Sequence, residues 1–376
     1  MTRCTRIVSV ATIIGLWLAL AIPTAAEPIA GDHFGNTWAR TDLPVVAGQA
    51  NRTWMWGPSA DSPSLLEPYS ESPNGQRQVQ YFDKTRMEIT NPDGDQSSIW
   101  YVTNGLLAEE LITGRLQIGD NTFEQHDPAQ VNVAGDANDS NGPTYATFNT
   151  LMGYGAIPSG WKITQTVDRA GTVGDDQNLA SYGVIANDVG APTNHNVASV
   201  FWDFMNSSGT VFNNGTYSTA NVFPNPYYAT GYPLTEAYWT SVLVGGVQKQ
   251  VLVQVFERRV LTYTPSNDQG WQVESGNVGQ HYYTWRYTQL GKTVTVDPNP
   301  PSDWSPPASP PPAGDGNGSQ TDNGNTDTGP HQDMNCSDFA THAEAQQYFD
   351  SHGGSPSNNY DGLDNDHDGI VCESLP

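Results

Sequence analysis

With 40 acids against 15 lysines and arginines, the 376-residue chain carries a formal charge of -25, which sets it against nucleic acid and anionic membrane surfaces and makes cations its natural company. Its hydrophobic content of 36% and aromatic content of 10% suffice for cores in two or three domains, with loops taking much of the rest.

The chain opens MTRCTRIVSVATIIGLWLALAIPTAAEP, with Arg3 and Arg6 ahead of an apolar run from Ile7 to about Ile22 and small residues at Ala25 and Ala26. That order predicts a secretory signal peptide over 1–26. The alternative, a retained anchor, needs roughly 20 apolar residues to cross a bilayer, and this run is shorter. Cleavage removes Cys4 and leaves Cys336 and Cys372. An even pair in an exported chain points to a disulfide in preference to a reactive thiol or a zinc site. No second long apolar run follows, so the expected destination is secreted, extracellular or envelope-associated, with no membrane span after signal cleavage.

Residues 27–296 are expected to form the body, divided into a first unit (27–190, including a loop-rich insertion) and a second (191–296). An internal echo supports the division: VQYFDKTRMEITNP from Val79 resembles VQVFERRVLTYTP from Val253. Each copy is preceded by an acid and a tyrosine, Glu67 and Tyr69 or Glu236 and Tyr238. Each is followed by a valine and then a glycine, in VTNGLLAEEL from Val102 and VESGNVGQHYY from Val273. Alternation rich in Val, Tyr, Phe and Thr predicts a two-stranded ribbon turning at the DK or ER pair. A short helix should follow, in the first copy capped by Thr103 and stopped by Gly114. NVASVFWDFMNSSG reads as another helix, with Val197, Phe201, Phe204 and Met205 near one face. The passage from Gly119 to Gly190 reads as strands and loops.

Taken together, GYPLTE (Gly231 to Glu236), VQVFERRVLTYTP and VESGNVG behind an aromatic helix resemble the LGFP repeat. Gly231, Pro233, Gln254, Phe256 and Val273 fall on matching positions. Arg258 or Arg259 stands where that family has a glycine, and SVLVGGVQKQVL adds strand-like residues. The resemblance implies a non-catalytic body that binds the bacterial cell wall.

Between 297 and 333 the composition turns to Pro, then to Gly, Asn, Asp and Thr, which predicts a linker, stiff at first and then flexible. About forty residues of mostly extended chain reach on the order of 100 Å.

The C-terminal module, 334–376, ends in LDNDHDGIVCESLP. Asp364, Asp366 and Asp368 take positions one, three and five of a D-x-D-x-D-G loop, Gly369 supplies the turn, the Ile370 carbonyl takes position seven and Glu373 position ten. Oxygen donors in that order suit Ca2+, a hard cation that takes six to eight of them. An EF-hand places its closing glutamate at twelve, so this loop is two residues shorter. With Asn335 and Cys336, the helix THAEAQQYFDSHGG and the closing D-x-D-x-D-G-x-x-C-E, the module resembles the Excalibur extracellular calcium-binding domain. Thr341 and Glu344 form a capping box, Ala345, Tyr348 and Phe349 share a helical face, and Gly353 ends the helix. So small a module needs a staple and a metal. Asp361 is a further candidate ligand through water, whereas His367 has no expected role beyond facing solvent.

For catalysis the chain offers no G-x-S-x-G, H-E-x-x-H, glycine-rich phosphate loop or reactive cysteine. Glu109 and Glu110 are adjacent on a helix and point about 100° apart. Glu67, Asp83, Glu236 and Glu257 could pair as in glycoside hydrolysis, against the default of surface acids bridged by Lys84 or Arg258. Arg258 and Arg259 should pair with internal acids or meet an anionic partner. Trp54, Trp56, Trp202 and Trp239, with Trp271 and Trp285, are candidates for stacking on sugars, against the commoner fate of core residues. HYYTWRY, from His281 to Tyr287, is expected as a helix packed on the ribbon, the alternative being a binding edge.

The expected fold is α+β, with duplicated strand-ribbon plus helix units in the body and a small disulfide-stapled, EF-hand-like module. The expected function is a cell-surface or envelope protein whose body binds wall polysaccharide or peptidoglycan and whose module binds calcium. The alternatives are a secreted cell-wall hydrolase with an accessory calcium module and a structural protein whose copies calcium bridges.

Overall fold

The computed structural model describes residues 27–306 together with Cys336, Phe339, Ala345, Gln346, Tyr348, Phe349, Leu363, Val371 and Cys372. The signal peptide expected over 1–26 lies outside the described residues.

Helix and sheet mix in the body as an α+β fold. The first unit opens with α1 (Gly31–Thr41), whose Phe34 and Trp38 recur on one face and are buried. Strands β1 (Leu65–Pro68), β2 (Gln76–Phe82), β3 (Thr85–Ile89) and β4 (Thr103–Asn104) then form an antiparallel sheet in chain order. The β2–β3 turn falls at Asp83 and Lys84, where the ribbon was expected to reverse. Helix α2 (Leu107–Thr113) follows and ends on Gly114 at φ 71. Its start differs from expectation. Thr103 is taken up by β4, and Leu106 holds the N-cap position without a side-chain bond.

Strands β5 (Gln165–Val167) and β6 (Val173–Asp175) precede α3 (Ser199–Met205), where Phe201 and Met205 are buried. A hairpin of β7 (Ser208–Asn213) and β8 (Thr216–Asn221) turns on Asn214 and Gly215, both at positive φ. Then come β9 (Tyr238–Val244), β10 (Val247–Val255), β11 (Val260–Tyr263), β12 (Val273–Ser275) and α4 (Val278–Tyr283), which runs on through 284–289. The insertion SVLVGGVQKQVL proves to be the β9–β10 hairpin, turning on Gly245 and Gly246. The second sheet has six strands in the order β12-β11-β10-β9-β5-β6. Its one parallel contact joins β9 to β5, so strands from the 27–190 segment complete the sheet of the second unit.

The echo between the two units has a physical counterpart. Gln80 is buried and accepts from Ala30 N–H at 2.9 Å while donating to the carbonyls of Pro28 and Ser62. Gln254 does the same with Ala198, Asn196 and Thr235. Each glutamine thus ties the strand entering a helix to the start of a sheet. The register pairs Leu65 with Val79 and Tyr238 with Val253, so Leu65 corresponds to Tyr238. Glu67 and Glu236 therefore do not occupy matching positions, contrary to the sequence pattern.

Each unit lends its closing helix to the other. Glu109 N–H on α2 donates to Glu257 O at 2.9 Å, and Gly279 and Gln280 N–H on α4 both donate to Asp83 O. Between the sheets, Leu107 and Leu111 share a core with Tyr282, Trp285, Val79 and Val253. A Cβ on Gly279 would lie 1.9 Å from Phe82 O and 2.7 Å from Thr85 O, both backbone atoms that cannot swing aside. Gly279→Ala is accordingly expected to push α4 off the first sheet at a cost of about 2–4 kcal/mol, read as a lower melting temperature.

The stretch after α4 does not leave at once. Val296 bridges Leu65, Gly31 N–H donates to Ser302 O, and Trp304 N–H donates to Ile29 O. The Trp304 ring covers Gly35 so closely that a Cβ there would overlap it at 1.9 Å. Residues that composition assigns to the linker thus strap the first unit up to Trp304. Among the described residues, no helix is long and apolar enough to cross a membrane.

Candidate functional site

The C-terminal module is anchored by the disulfide between Cys336 and Cys372, 36 residues apart. Ala345, Gln346, Tyr348 and Phe349 are helical, and Ala345 and Phe349 are buried with Leu363, Val371 and Cys372. Tyr348 packs at the edge of this cluster, 5.2 Å from the Phe339 ring. Two hydrogen bonds involve the described residues next to the acidic segment. Cys372 N–H donates to Leu363 O at 3.2 Å, and Val371 N–H donates to the Gln346 side chain at 3.1 Å. Leu363 and Cys372, which flank the span 364–371 in sequence, are thus hydrogen-bonded to each other. Asp364, Asp366, Asp368, Ile370 and Glu373 lie outside the described residues, as do Asp361, His367, Gly369, Thr341, Glu344 and Gly353.

In the body, the acids singled out from sequence have three different fates. Glu67 is buried and accepts from the hydroxyls of Tyr81 (2.5 Å) and Tyr287 (2.7 Å) and from Arg86 (2.7 Å), with Arg286 at 3.4 Å and Arg77 at 3.9 Å. Burial pushes its carboxyl up, but Arg286, Arg86 and Arg77 together outweigh that and hold it at about 2. Glu88 and Glu110 complete this interior network, where Arg86 binds Glu88 and Tyr282 donates to Glu110 at 2.5 Å. Glu236, also buried, accepts from Asn196 N–H and Ile157 N–H and sits 3.2 Å from His195. Neither Glu67 nor Glu236 is a surface acid. Lys84 bonds Asn277 and Arg258 bonds Asn104 O, so these cations do not bridge them.

Asp83 and Glu257 occupy matching turns, each packed on a glycine at positive φ, Gly57 and Gly231. Asp83 lies beside Asp61, and Gln280 donates to Asp83 at 2.6 Å and approaches Asp61 at 3.5 Å. Partial burial, then the charge of Asp83, push Asp61 up to about 7. The folded chain thus keeps a proton that the unfolded chain releases near pH 4. Stability from this group is present below pH 4 and declines as pH rises toward 7. Melting temperature followed from pH 4 to 8 should fall less steeply for Asp61→Asn than for the parent. At the matching turn, burial and then Glu257 raise Glu109.

Among the described residues, Arg259 has no carboxylate in hydrogen-bond reach. Its guanidinium, fully buried, donates to Met55 O, Ala229 O, Asn104 Oδ1 and Ser275 Oγ and lies over the Trp56 ring. Met55 and Ala229 each precede a matched glycine by two residues, while Asn104 and Ser275 close matched strands. One arginine therefore pegs equivalent points of both units. The expected pairing of Arg258 and Arg259 with internal acids gives way to carbonyl binding.

The tryptophan candidates are not brought together. Trp239 is in the core, its N–H donating to Ile163 O at 2.9 Å. Trp202 is half-buried beside Tyr227, and Trp54 is half-buried. Trp56, 1% exposed, forms part of the wall of a cavity of about 260 Å³. Among the described residues the exposed indoles are Trp161 (65%) and Trp100 (45%), which sequence reasoning missed. The available signal was their setting, in IPSGWK and DQSSIWY, among turn-forming polar residues.

The Excalibur calcium-binding domain matches residues 333–373 of the chain. That match covers the C-terminal module alone. No curated protein and no solved structure matches the chain.

Proposed function

We propose that the protein is an extracellular surface protein in which Asp364, Asp366, Asp368, the Ile370 carbonyl and Glu373 hold calcium while the body attaches to wall polysaccharide or peptidoglycan. The observation that supports the calcium half is the hydrogen bond from Cys372 N–H to Leu363 O, which joins the ends of the segment that contains Asp364, Asp366 and Asp368, with Glu373 next in sequence after Cys372. Carboxylates crowded this way repel one another, and calcium, when bound, supplies the opposing charge. The donor set is all oxygen and fits a hard cation.

The wall half rests on the LGFP-like residues Gly231, Pro233, Gln254, Phe256 and Val273 and on the exposed Trp100 and Trp161. Sedimentation of the full chain with purified cell walls tests it, in calcium and in chelator. Pelleting under both conditions is expected, because attachment lies in the body. A chain left in the supernatant under both overturns it.

The paired carboxyls of Asp61 and Asp83 favour a second reading, a hydrolase of wall polymers, since a carboxyl that keeps its proton near neutrality can serve as a general acid. Release of soluble fragments from walls, abolished by Asp83→Asn, selects that reading.

A further inference from the structure

The cavity beside Trp56 lies where the units meet, between α1, the loop before β4, and the β7–β8 hairpin with the segment after it. Its volume of about 260 Å³ is just below the ~300–1,000 Å³ of clefts that take drug-sized ligands, so a single ring is the natural occupant. Aromatic groups supply flat surface there: Tyr228 and Trp56 are buried, and Tyr101 packs against His33 with ring centres 4.5 Å apart.

Between these faces the wall carries amides and hydroxyls. Among the described residues, the His33 ring nitrogens and the Gln96 amide make no hydrogen bond, which leaves donors and acceptors for a polyhydroxylated guest. An apolar ligand would leave the half-buried His33 ring without a partner.

Charge narrows the guest further. Among the described residues no acid lines this cavity, although the chain has 40. Four other clefts each include an aspartate: Asp203, Asp127, Asp95 and Asp139. The one formal cation is Arg40, which bonds Asn213 Oδ1 at 2.8 Å and Asn221 O at 2.7 Å and has no ion-pair partner among the described residues. Its Nε is buried without a partner. An arginine held by neutral groups in an acidic chain favours one anionic group in its ligand. One guanidinium does not suffice for a densely charged polymer.

We propose that this cavity binds a single sugar ring bearing one carboxylate, a uronic-acid type of unit. The proposal rests on the reading of the body as glycan-binding and names its subsite. Calorimetric titration of the full chain with D-glucuronate and with D-glucose tests it without any substitution. Glucuronate is expected to bind saturably, with glucose weaker by about tenfold, the size of one charge-assisted contact. Arg40→Gln should remove that preference and keep weak binding of both sugars. Tyr101→Ala should weaken both, its melting temperature reporting that the fold is intact. Equal affinities for the two sugars in the parent, or no saturation by either, overturns the site. If neither sugar saturates while the full chain still pellets with walls, this subsite fails and wall attachment stands. If the chain also stays in the supernatant, both fail.

Discussion

Arg259→Leu is expected to destabilise the body by about 3–5 kcal/mol. The guanidinium donates to four acceptors, two carbonyls and two side chains drawn equally from both units. Leucine is close enough in bulk to limit a cavity but donates to none of them. Each acceptor left buried and unpaired costs about 1–3 kcal/mol. Part of that is offset, because burial already disfavours the cation: it pushes the guanidinium down to about 9, against the raising effect of Asp42. Arg259→Lys keeps the charge but concentrates its donors at one point, too compact to reach both Met55 O and Asn104. For a body of this size each kcal/mol lowers the melting temperature by about 2–4 °C, so the leucine variant should melt roughly 10 °C below the parent. A shift within about 2 °C means that the two units do not depend on this peg.

The same arginine shows what sequence could and could not convey. The alternation around Gln80 and Gln254 made two ribbons legible, as did the turns at Asp83–Lys84 and Glu257–Arg258, because each rests on local pattern. Gly114 was legible as a helix stop because left-handed backbone favours glycine, and the helix through HYYTWRY because Tyr282 and Trp285 recur on one face. The acids were not legible. Glu67 and Glu236 each precede a tyrosine by two residues, yet cross-strand register, set by residues far along the chain, gives them different neighbours. Nor does composition reveal that Arg259 is satisfied by carbonyls, since every residue carries one. The strap through Trp304 escaped because proline-rich chain resembles spacer wherever it lies, and only the bare surface of Gly35 shows what it covers. At the calcium loop the position is reversed. The order of acids proposed as ligands is written in the sequence, and the described residues supply only Leu363 and Cys372 on either side of it.

Replacing both cysteines, Cys336→Ser with Cys372→Ser, should weaken calcium binding far more than removing a single ligand charge. Among the described residues Ala345, Phe349, Leu363 and Val371 are buried together, and a module of about forty residues seldom holds its fold on an apolar core alone. Cross-linking a loop of 36 residues contributes about 4 kcal/mol in the chain-entropy model. Cys372 also sits at φ 52, in left-handed backbone that a non-glycine residue adopts only when its surroundings hold it there. Its N–H is the donor that closes the loop on Leu363, so losing the bridge releases the clasp as well as the chain. If the stapled module is folded by less than that margin without metal, the binding-competent fraction drops and the apparent dissociation constant rises in proportion, between tenfold and about a thousandfold. Asp366→Asn, by contrast, leaves the clasp in place and removes one charge from the donor set. Calorimetry of the full chain with calcium, parent against the two variants, separates folding from ligation. The cysteine variant should gain calcium-dependent helical circular dichroism that the Asp366→Asn chain lacks. A cysteine variant that takes up calcium as tightly as the parent would mean that the loop closes by itself, and the clasp would then have no part in holding the ion.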